Sequence, residues 1–398
     1  LYRAPNGDAS RQFKTFTQEL RLQGEAFSGH LDWLVGGYFA NEDLQVQDNL
    51  RFGSQYGRFA TCRIISGGGL AGLYSPTNPS CVIPGVGQAT ISGASGASGP
   101  DIVAAFGLLD SLNDRGSTRD VYNQNSRNWA LFTHDIIHLT STFDLTLGLR
   151  YTNERKRFDA TFGNDNTICT QIQGLVLDDL SSTNATARAL AGALIGLGCQ
   201  GNSTAELNGV SINDSRSEEE FSGTAILSWK PIDDLLLYAS YAHGYKAGGF
   251  NLDRSALKLP ILPFSATTGG AQALVRNLQF DAETVNAYEL GAKYSTGPLS
   301  ISVAAFRQDF SNFQLNTFNG SVFLVQNVNG CSGAGLTGGP AADNDLSATT
   351  GACAPGDVGW GVRAEGVELE ASLAPSRTLR FGLGLTYANT HYRNDLVA

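Results

Sequence analysis

Methionine is absent from this 398-residue sequence, and so is any run approaching the roughly 18 apolar residues that a membrane-spanning helix needs. The second absence excludes a helical membrane protein. Charge is also sparse: Asp, Glu, Lys and Arg together make up 16% of the residues. The 27 basic side chains are outnumbered by 37 acidic ones, for a formal charge of −10, and they show no run that would form a basic patch. Nucleic acid, which is bound through neutralisation of phosphates by Lys and Arg, is therefore not an expected partner. The first ten residues, LYRAPNGDAS, lack the apolar core of a secretory signal. With no initiator anywhere, the sequence reads as a processed or truncated piece of a longer chain.

What is present is glycine (47), phenylalanine (21) and tyrosine (13), arranged with a period of two. Residues 143–151 read FDLTLGLRY, with Phe143, Leu145, Leu147, Leu149 and Tyr151 on one face and Asp144, Thr146, Gly148 and Arg150 on the other. Residues 299–305 and 379–388 repeat the pattern, and less regular copies cover 13–27, 30–46, 124–139, 218–230, 235–248, 282–295 and 363–373. Such alternation predicts strands, ten in all. The connections alternate in length too. Those at 28–30, 140–142, 231–234, 296–298 and 374–378 are tight, whereas 47–123, 161–217, 249–281 and 315–362 are long.

Short turns at one end and long loops at the other are the layout of a transmembrane antiparallel β-barrel, in which only every second residue faces lipid and mean hydropathy stays slightly negative. A soluble β-sandwich alternates as well. Strands of about 13–18 residues exceed its usual 5–6, and Gly, Ser, Thr, Asp and Arg opposite the apolar face suit a wet lumen. Tyr151 and Tyr387 close their apolar faces at the long-loop end, where an aromatic girdle belongs. In 129–139 neither face is clearly apolar.

The six cysteines fall as local pairs, Cys62 with Cys81, Cys169 with Cys199 and Cys331 with Cys353, each inside one long loop and none in a strand-like segment. One disulfide per loop is the simplest of the 15 connectivities that six cysteines allow, set against six free thiols, and it implies an oxidising compartment. No CxxC or Cys-His spacing suggests zinc. Two loop segments read as helices: 101–112, and 184–197 with Ser182 or Thr183 as its cap. The glycine-rich stretches 67–69 and 85–99 read as loop, and neither follows a strand and opens a helix as a phosphate loop does.

Catalytic constellations are missing from the pattern. His134 and His138 lie four apart on a strand, about 13 Å, too far for joint ligation, and nothing resembles a G-x-S-x-G elbow. Asp343 and Asp345 with Asp357 offer hard oxygen ligands for Ca²⁺ but lack the spaced glycine and terminal glutamate of a calcium loop. No cofactor is expected, and no enzymatic activity.

At 238–251 the sequence YASYAHGYKAGGFN resembles the barrel of TonB-dependent receptors, in which a strand of the form Y-A-S-Y-x-x-G-[FY]-K leads into a G-G-F-N loop start. LTLGLRYTNE (145–154), FDAETVNAYELGAKYS (280–295) and GVELEAS (366–372) follow the family's order and spacing, so that the resemblance covers most of 120–392. It implies a bacterial outer-membrane barrel of about 22 strands plugged by a separate domain. Residues 1–398 would be one partial barrel domain, with the plug and the remaining strands outside this sequence. The resemblance further implies import of a scarce nutrient, such as siderophore-bound iron, a cobalamin-like compound or an oligomer, driven by the inner-membrane TonB complex. The partners are then outer-membrane lipid, the protein's own plug, TonB and a small ligand. Arg150, Glu289, Lys293, Glu368 and Glu370 would face the plug or lumen water. A passive porin and a surface scaffold or adhesin are the alternatives.

Overall fold

The computed structural model describes residues 2–3, 9–67, 70–78, 80–199, 206–257, 267–318, 323–331, 355–393 and 396–397. Ten long strands run in order: β1 (Ser10–Ala26), β2 (Leu31–Arg51), β3 (Gly116–His138), β4 (Phe143–Thr161), β5 (Ser211–Ile232), β6 (Leu235–Lys246), β7 (Glu283–Thr296), β8 (Leu299–Ser311), β9 (Val362–Ser376) and β10 (Leu379–Tyr392). Each pairs antiparallel with the strand before and the strand after it. Tyr2–Arg3 adds a short eleventh member against the end of β2. Among the described residues β1 and β10 are bonded on one side only. No helix among them is long and apolar enough to cross a membrane.

Register fixes the faces, because directly paired residues point the same way. Leu145, Leu147, Leu149 and Tyr151 share a face with Leu227, Ala225 and Phe221 of β5. Leu383, Leu385 and Tyr387 share it with Ala371, Leu369 and Val367 of β9. On this outer face, aromatic rings form two belts. Toward the long loops Phe16 meets Phe39 (6.4 Å), Tyr151 lies between Trp129 (5.5 Å) and Phe221 (5.0 Å), and Tyr241 meets Tyr288 (5.3 Å). Toward the tight turns Phe143 stacks on Trp229 (5.4 Å). Tyr151 is eight positions beyond Phe143, about 27 Å along the strand. At a strand tilt of 35–45° that becomes about 20 Å along the normal, near the height of an apolar band crossing a bilayer. Asp135 is an intruder on this face, paired with Leu147 and Trp33 and bonded to the Thr133 hydroxyl at 2.8 Å. It explains why β3 shows no clean apolar side.

Most strands continue past the upper belt. β4 extends to Thr161 and β5 begins at Ser211, where charged residues fall on both faces and only Phe158, Ala160 and Ile212 mark an apolar side. The loops they carry are more ordered than their composition suggests. Residues 52–115 and 162–210 together contribute α1 (Tyr56–Gly67), α2 (Val86–Ala94), α3 (Gly99–Leu108), α4 (Thr167–Val176) and α5 (Ala185–Gly198). α3 and α5 fall in the two segments expected to be helical. Within the stretch 85–99, expected to be loop, α2 is helical instead, because Ile91 supplies an apolar anchor that glycine counts hide. The cap of α5 is Asn184, not Ser182 or Thr183: its side chain accepts from the backbone N–H of Thr186 and Ala187.

The five helices share one core, with Ile64, Ile65, Ile102 and Leu109 of the first loop against Ile172, Val176, Leu190 and Leu194 of the second. Disulfides join Cys62 to Cys81 and Cys169 to Cys199, across 19 and 30 residues. Cys331 ends the strand Phe323–Cys331, a departure from the expectation that no cysteine lies in a strand; its expected partner Cys353 is outside the described residues.

Arg in place of Leu147 should cost about 2–4 kcal/mol of stability in lipid, and Arg in place of Thr146, on the opposite face, much less. Denaturant unfolding of the protein in vesicles measures both. Equal losses would overturn the facing assignment. Non-reducing peptide mapping should recover Cys62–Cys81 and Cys169–Cys199 as separate pairs, each contributing about 3–4 kcal/mol under the loop-entropy model. A bond between the two loops would contradict the fold.

Candidate functional site: the inner face and its folded loop

The inner face carries the polar half of each alternation. One hydrogen-bonded row runs Thr146, Ile226, Ser240, Glu289, Phe306, Gly366 and Ala388, and the next runs Asp144, Ser228, Tyr238, Gly291, Ala304, Glu368 and Thr386. Lys293, Ser302, Glu370 and Gly384 form a third. All five charges singled out from the sequence, Arg150, Glu289, Lys293, Glu368 and Glu370, therefore stand on this one surface.

They are not one cluster. Arg150 lies higher, its guanidinium over the rings of Tyr38 (5.2 Å) and Phe132 (5.7 Å), a cation–π arrangement that holds it flat against the wall. Below it, the Tyr238 hydroxyl donates to Glu289 and the Lys293 ammonium lies 5.7 Å from the Tyr238 ring centre. Tyr238 belongs to the stretch that carries the family resemblance, yet its role as the hub of this group is not visible in the sequence. Glu370 stands apart, opposite Ser302. Nearer the tight turns, His138 bridges Asp144 (2.7 Å) and Asp32 (3.2 Å) through its two ring nitrogens, and His134 is not part of that bridge.

At the long-loop end the surface is covered. Phe250, Leu257, Val275 and Leu278, from the 249–281 connection, pack on Val46, Tyr122, Phe158 and Ile212, the inner-face residues of the strand extensions. A buried ion pair locks this fold-over. Arg254, 1% exposed, donates through Nε to Asp120 at 2.8 Å, pairs with it again through Nη2, and reaches the Gly163 carbonyl at 2.8 Å. Tyr122 completes the arrangement, its hydroxyl 3.0 Å from Asp120 and accepting from the Arg254 backbone N–H at 2.9 Å. Burial pushes the neighbouring Asp253 carboxyl above its ordinary range, with Asp120 and Asp48 adding to the effect. A second clamp holds the root of the loop: Arg216 bonds Glu218 and the Phe280 carbonyl, and the Gly248 N–H donates to Glu218 at 3.0 Å. In the helical cap, burial takes the Tyr56 hydroxyl to about 12 while it donates to the Leu197 carbonyl at 2.8 Å.

None of this resembles a reaction centre. No group of three or more His, Cys, Asp or Glu among the described residues is placed to hold a metal ion. Asp357 ends a short 3-10 turn, Pro355–Asp357, and its proposed companions Asp343 and Asp345 lie outside the described residues. What the arrangement offers is a long polar surface, sequestered at one end by a folded loop and bounded on the other side by an apolar band.

Fold and surface together define the wall of an outer-membrane β-barrel. The family model for the TonB dependent receptor-like β-barrel matches residues 2–397, and the chain belongs to that family, whose members are transporters of the bacterial outer membrane, not enzymes. Among solved structures it is similar to the ferric yersiniabactin uptake receptor FyuA from Yersinia pestis, at 14% identity and a TM-score of 0.53, covering 99% of this chain and 38% of the other. It is also similar to the ferric-catecholate import receptor Fiu from E. coli K12 (13%, TM-score 0.48, 97% and 39%) and to the siderophore receptor PiuA from Acinetobacter baumannii (14%, TM-score 0.47, 96% and 39%). The chain thus spans under two-fifths of the length of the receptors it matches. No curated protein matches it by sequence.

Removing one partner of the buried pair leaves the other a buried charge without its counter-ion. Arg254→Ala or Asp120→Ala should each release the 249–281 loop at a cost of about 3–5 kcal/mol. Amide hydrogen exchange is the measurement: protection should fall across residues 250–257 and 271–280 while β4 and β5 keep theirs. Unchanged exchange in that loop would show the pair to be dispensable.

Proposed function

We propose that the full protein imports a small, scarce nutrient across the outer membrane by TonB-coupled active transport, with metal-chelate compounds as the class of substrate. The observation that carries the reading is the family match along residues 2–397, joined to an inner face that gathers the charged groups Arg150, Glu289, Lys293, Glu368 and Glu370 and is covered by the 249–281 loop at the outer end. The similar structure FyuA bears the name of a ferric yersiniabactin uptake receptor, which supports the substrate class. A barrel of about 22 strands is wide enough to leak unless plugged, so a plug outside this chain and an energy source to displace it belong to the same proposal. In it Arg150, Glu289, Lys293, Glu368 and Glu370 face the plug or the water between plug and wall. Ligand enters from the side of α1–α5 and the 249–281 loop, and no bond in it is made or broken.

Cells carrying the full protein should take up a ferric siderophore only while the inner membrane is energised, and the purified protein should show no steady conductance in planar bilayers. Uptake indifferent to collapse of the proton gradient, together with an open channel, would instead establish the passive porin.

A further inference from the structure

We propose that the 249–281 loop is a pH-sensitive lid, held over the inner face more firmly in acid than at neutral pH, because closing it places the Asp253 carboxyl beside the Arg254–Asp120 pair without a cation of its own. The proposal goes beyond the transport reading and does not depend on which compound is carried.

The guanidinium next to Asp253 is already committed. Arg254 donates through Nε to Asp120 at 2.8 Å, and its Nη2 is shared between Asp120 and the Gly163 carbonyl. The Tyr122 hydroxyl, 3.0 Å from Asp120, and the Gly163 N–H, at 3.4 Å, complete the surroundings of that carboxylate. Asp253 precedes the short 3-10 turn Arg254–Leu257 and holds it from both ends of the residue. Its side chain accepts from the Ser255 N–H at 2.8 Å, and its carbonyl accepts from the Ala256 N–H at 3.1 Å. Among the described residues Asp253 enters no ion pair. The ionisable groups that face it from the strands are Asp48 of β2 and Asp120 and Tyr122 of β3, and none of these supplies positive charge.

The direction of the response follows from these neighbours. With the loop lifted, Asp253 meets water and ionises in the ordinary range, at about 4. With the loop down, burial first, and then the negative charges of Asp120 and Asp48, hold its proton on to higher pH. The two bonds from Ser255 act against this without cancelling it. Asp253 is half-buried and not sealed, so protons reach it from solvent. Closure therefore takes up a proton. Its contribution to the closed state is complete below about pH 4, the value for the lifted loop, and is lost as pH rises through the raised value. The apolar contacts of Phe250, Leu257, Val275 and Leu278 with the strands do not titrate. Asp253 thus adds a pH response to a lid whose apolar grip stays constant.

The test follows amide hydrogen exchange of the full-length protein in detergent from about pH 4 to about pH 7, with each rate divided by the intrinsic rate at that pH. Protection of residues 250–257 and 271–280 should fall as pH rises, while β4 and β5 keep theirs. The fall should be no steeper than about tenfold per pH unit, the limit for one linked proton. Asp253→Asn keeps an oxygen for the Ser255 N–H but cannot ionise, and should hold the loop at its acid level throughout. Ser255→Ala removes a bond that favours the charged form, and should move the fall to higher pH. It carries the test where the Asn variant does not assemble. Protection that is the same at every pH, or that falls in Asp253→Asn as it does in the native chain, overturns the proposal. So does protection that drops in acid, which would place the response in the Arg254–Asp120 and Arg216–Glu218 pairs.

Discussion

A backbone amide inside hydrocarbon has no water to turn to, and every other feature of this chain follows from that. A strand at membrane depth must bond on both sides to other strands, and the uninterrupted ladders from β1 to β10 are the response. Once the ladder is imposed, the side chains have no freedom of direction. They alternate, and the polar and apolar rows are dictated together. Leu147 cannot face lipid unless Thr146 and Gly148 face the interior, and through the pairing of β4 with β5 that choice is passed on to Ala225 and Thr224. The family's inner charges are consequences of the same rule.

Above the bilayer the constraint lapses, and different physics takes over. The strand extensions meet water, and order has to come from packing among the loops. Two solutions are used side by side. The helical cap relies on an apolar core with a disulfide inside each contributing loop, while the 249–281 loop relies on a smaller apolar cluster and the buried Arg254–Asp120 pair. An ion pair at that depth is costly to bury and more costly to halve. It therefore specifies one position for the loop more sharply than leucines would. The loop that covers the inner face is thus held by the Arg254 guanidinium together with the apolar cluster around Phe250 and the Arg216–Glu218 clamp.

These two regimes also explain what could be read from the sequence. All ten strands were legible, because lipid on one side and water on the other stamp a period of two on residues such as 143–151. Their upper ends were not, since residues such as Arg155 and Arg157 on one face and Lys156 on the other carry no contrast. Alternation put Arg150 opposite an apolar face, while the reading of Arg150, Glu289, Lys293, Glu368 and Glu370 as plug-facing or lumen-facing came from the family resemblance. Arg254 and Asp120 left no trace, being 134 residues apart in segments without a repeating pattern. Helices α1, α2 and α4 were hidden by Gly, Ser and Thr, although Asn166, which caps α4 by accepting from the Cys169 N–H, is a signal that closer attention to capping residues would find.

The shared core of the helical cap has a consequence for how this protein can change over time. Ile102 and Leu109 come from one loop, Ile172 and Leu190 from another, and they fill a common interior. Receptor loops at a cell surface are under pressure to vary, and an independent loop can drift or be exchanged without regard to its neighbours. Residues 52–115 and 162–210 lack that liberty. A substitution that enlarges one side of their interior demands a reduction on the other, so the two segments are coupled although a strand pair divides them in sequence. Grafting either one alone onto a related barrel would carry half a core, and an exchange that preserves folding must move both.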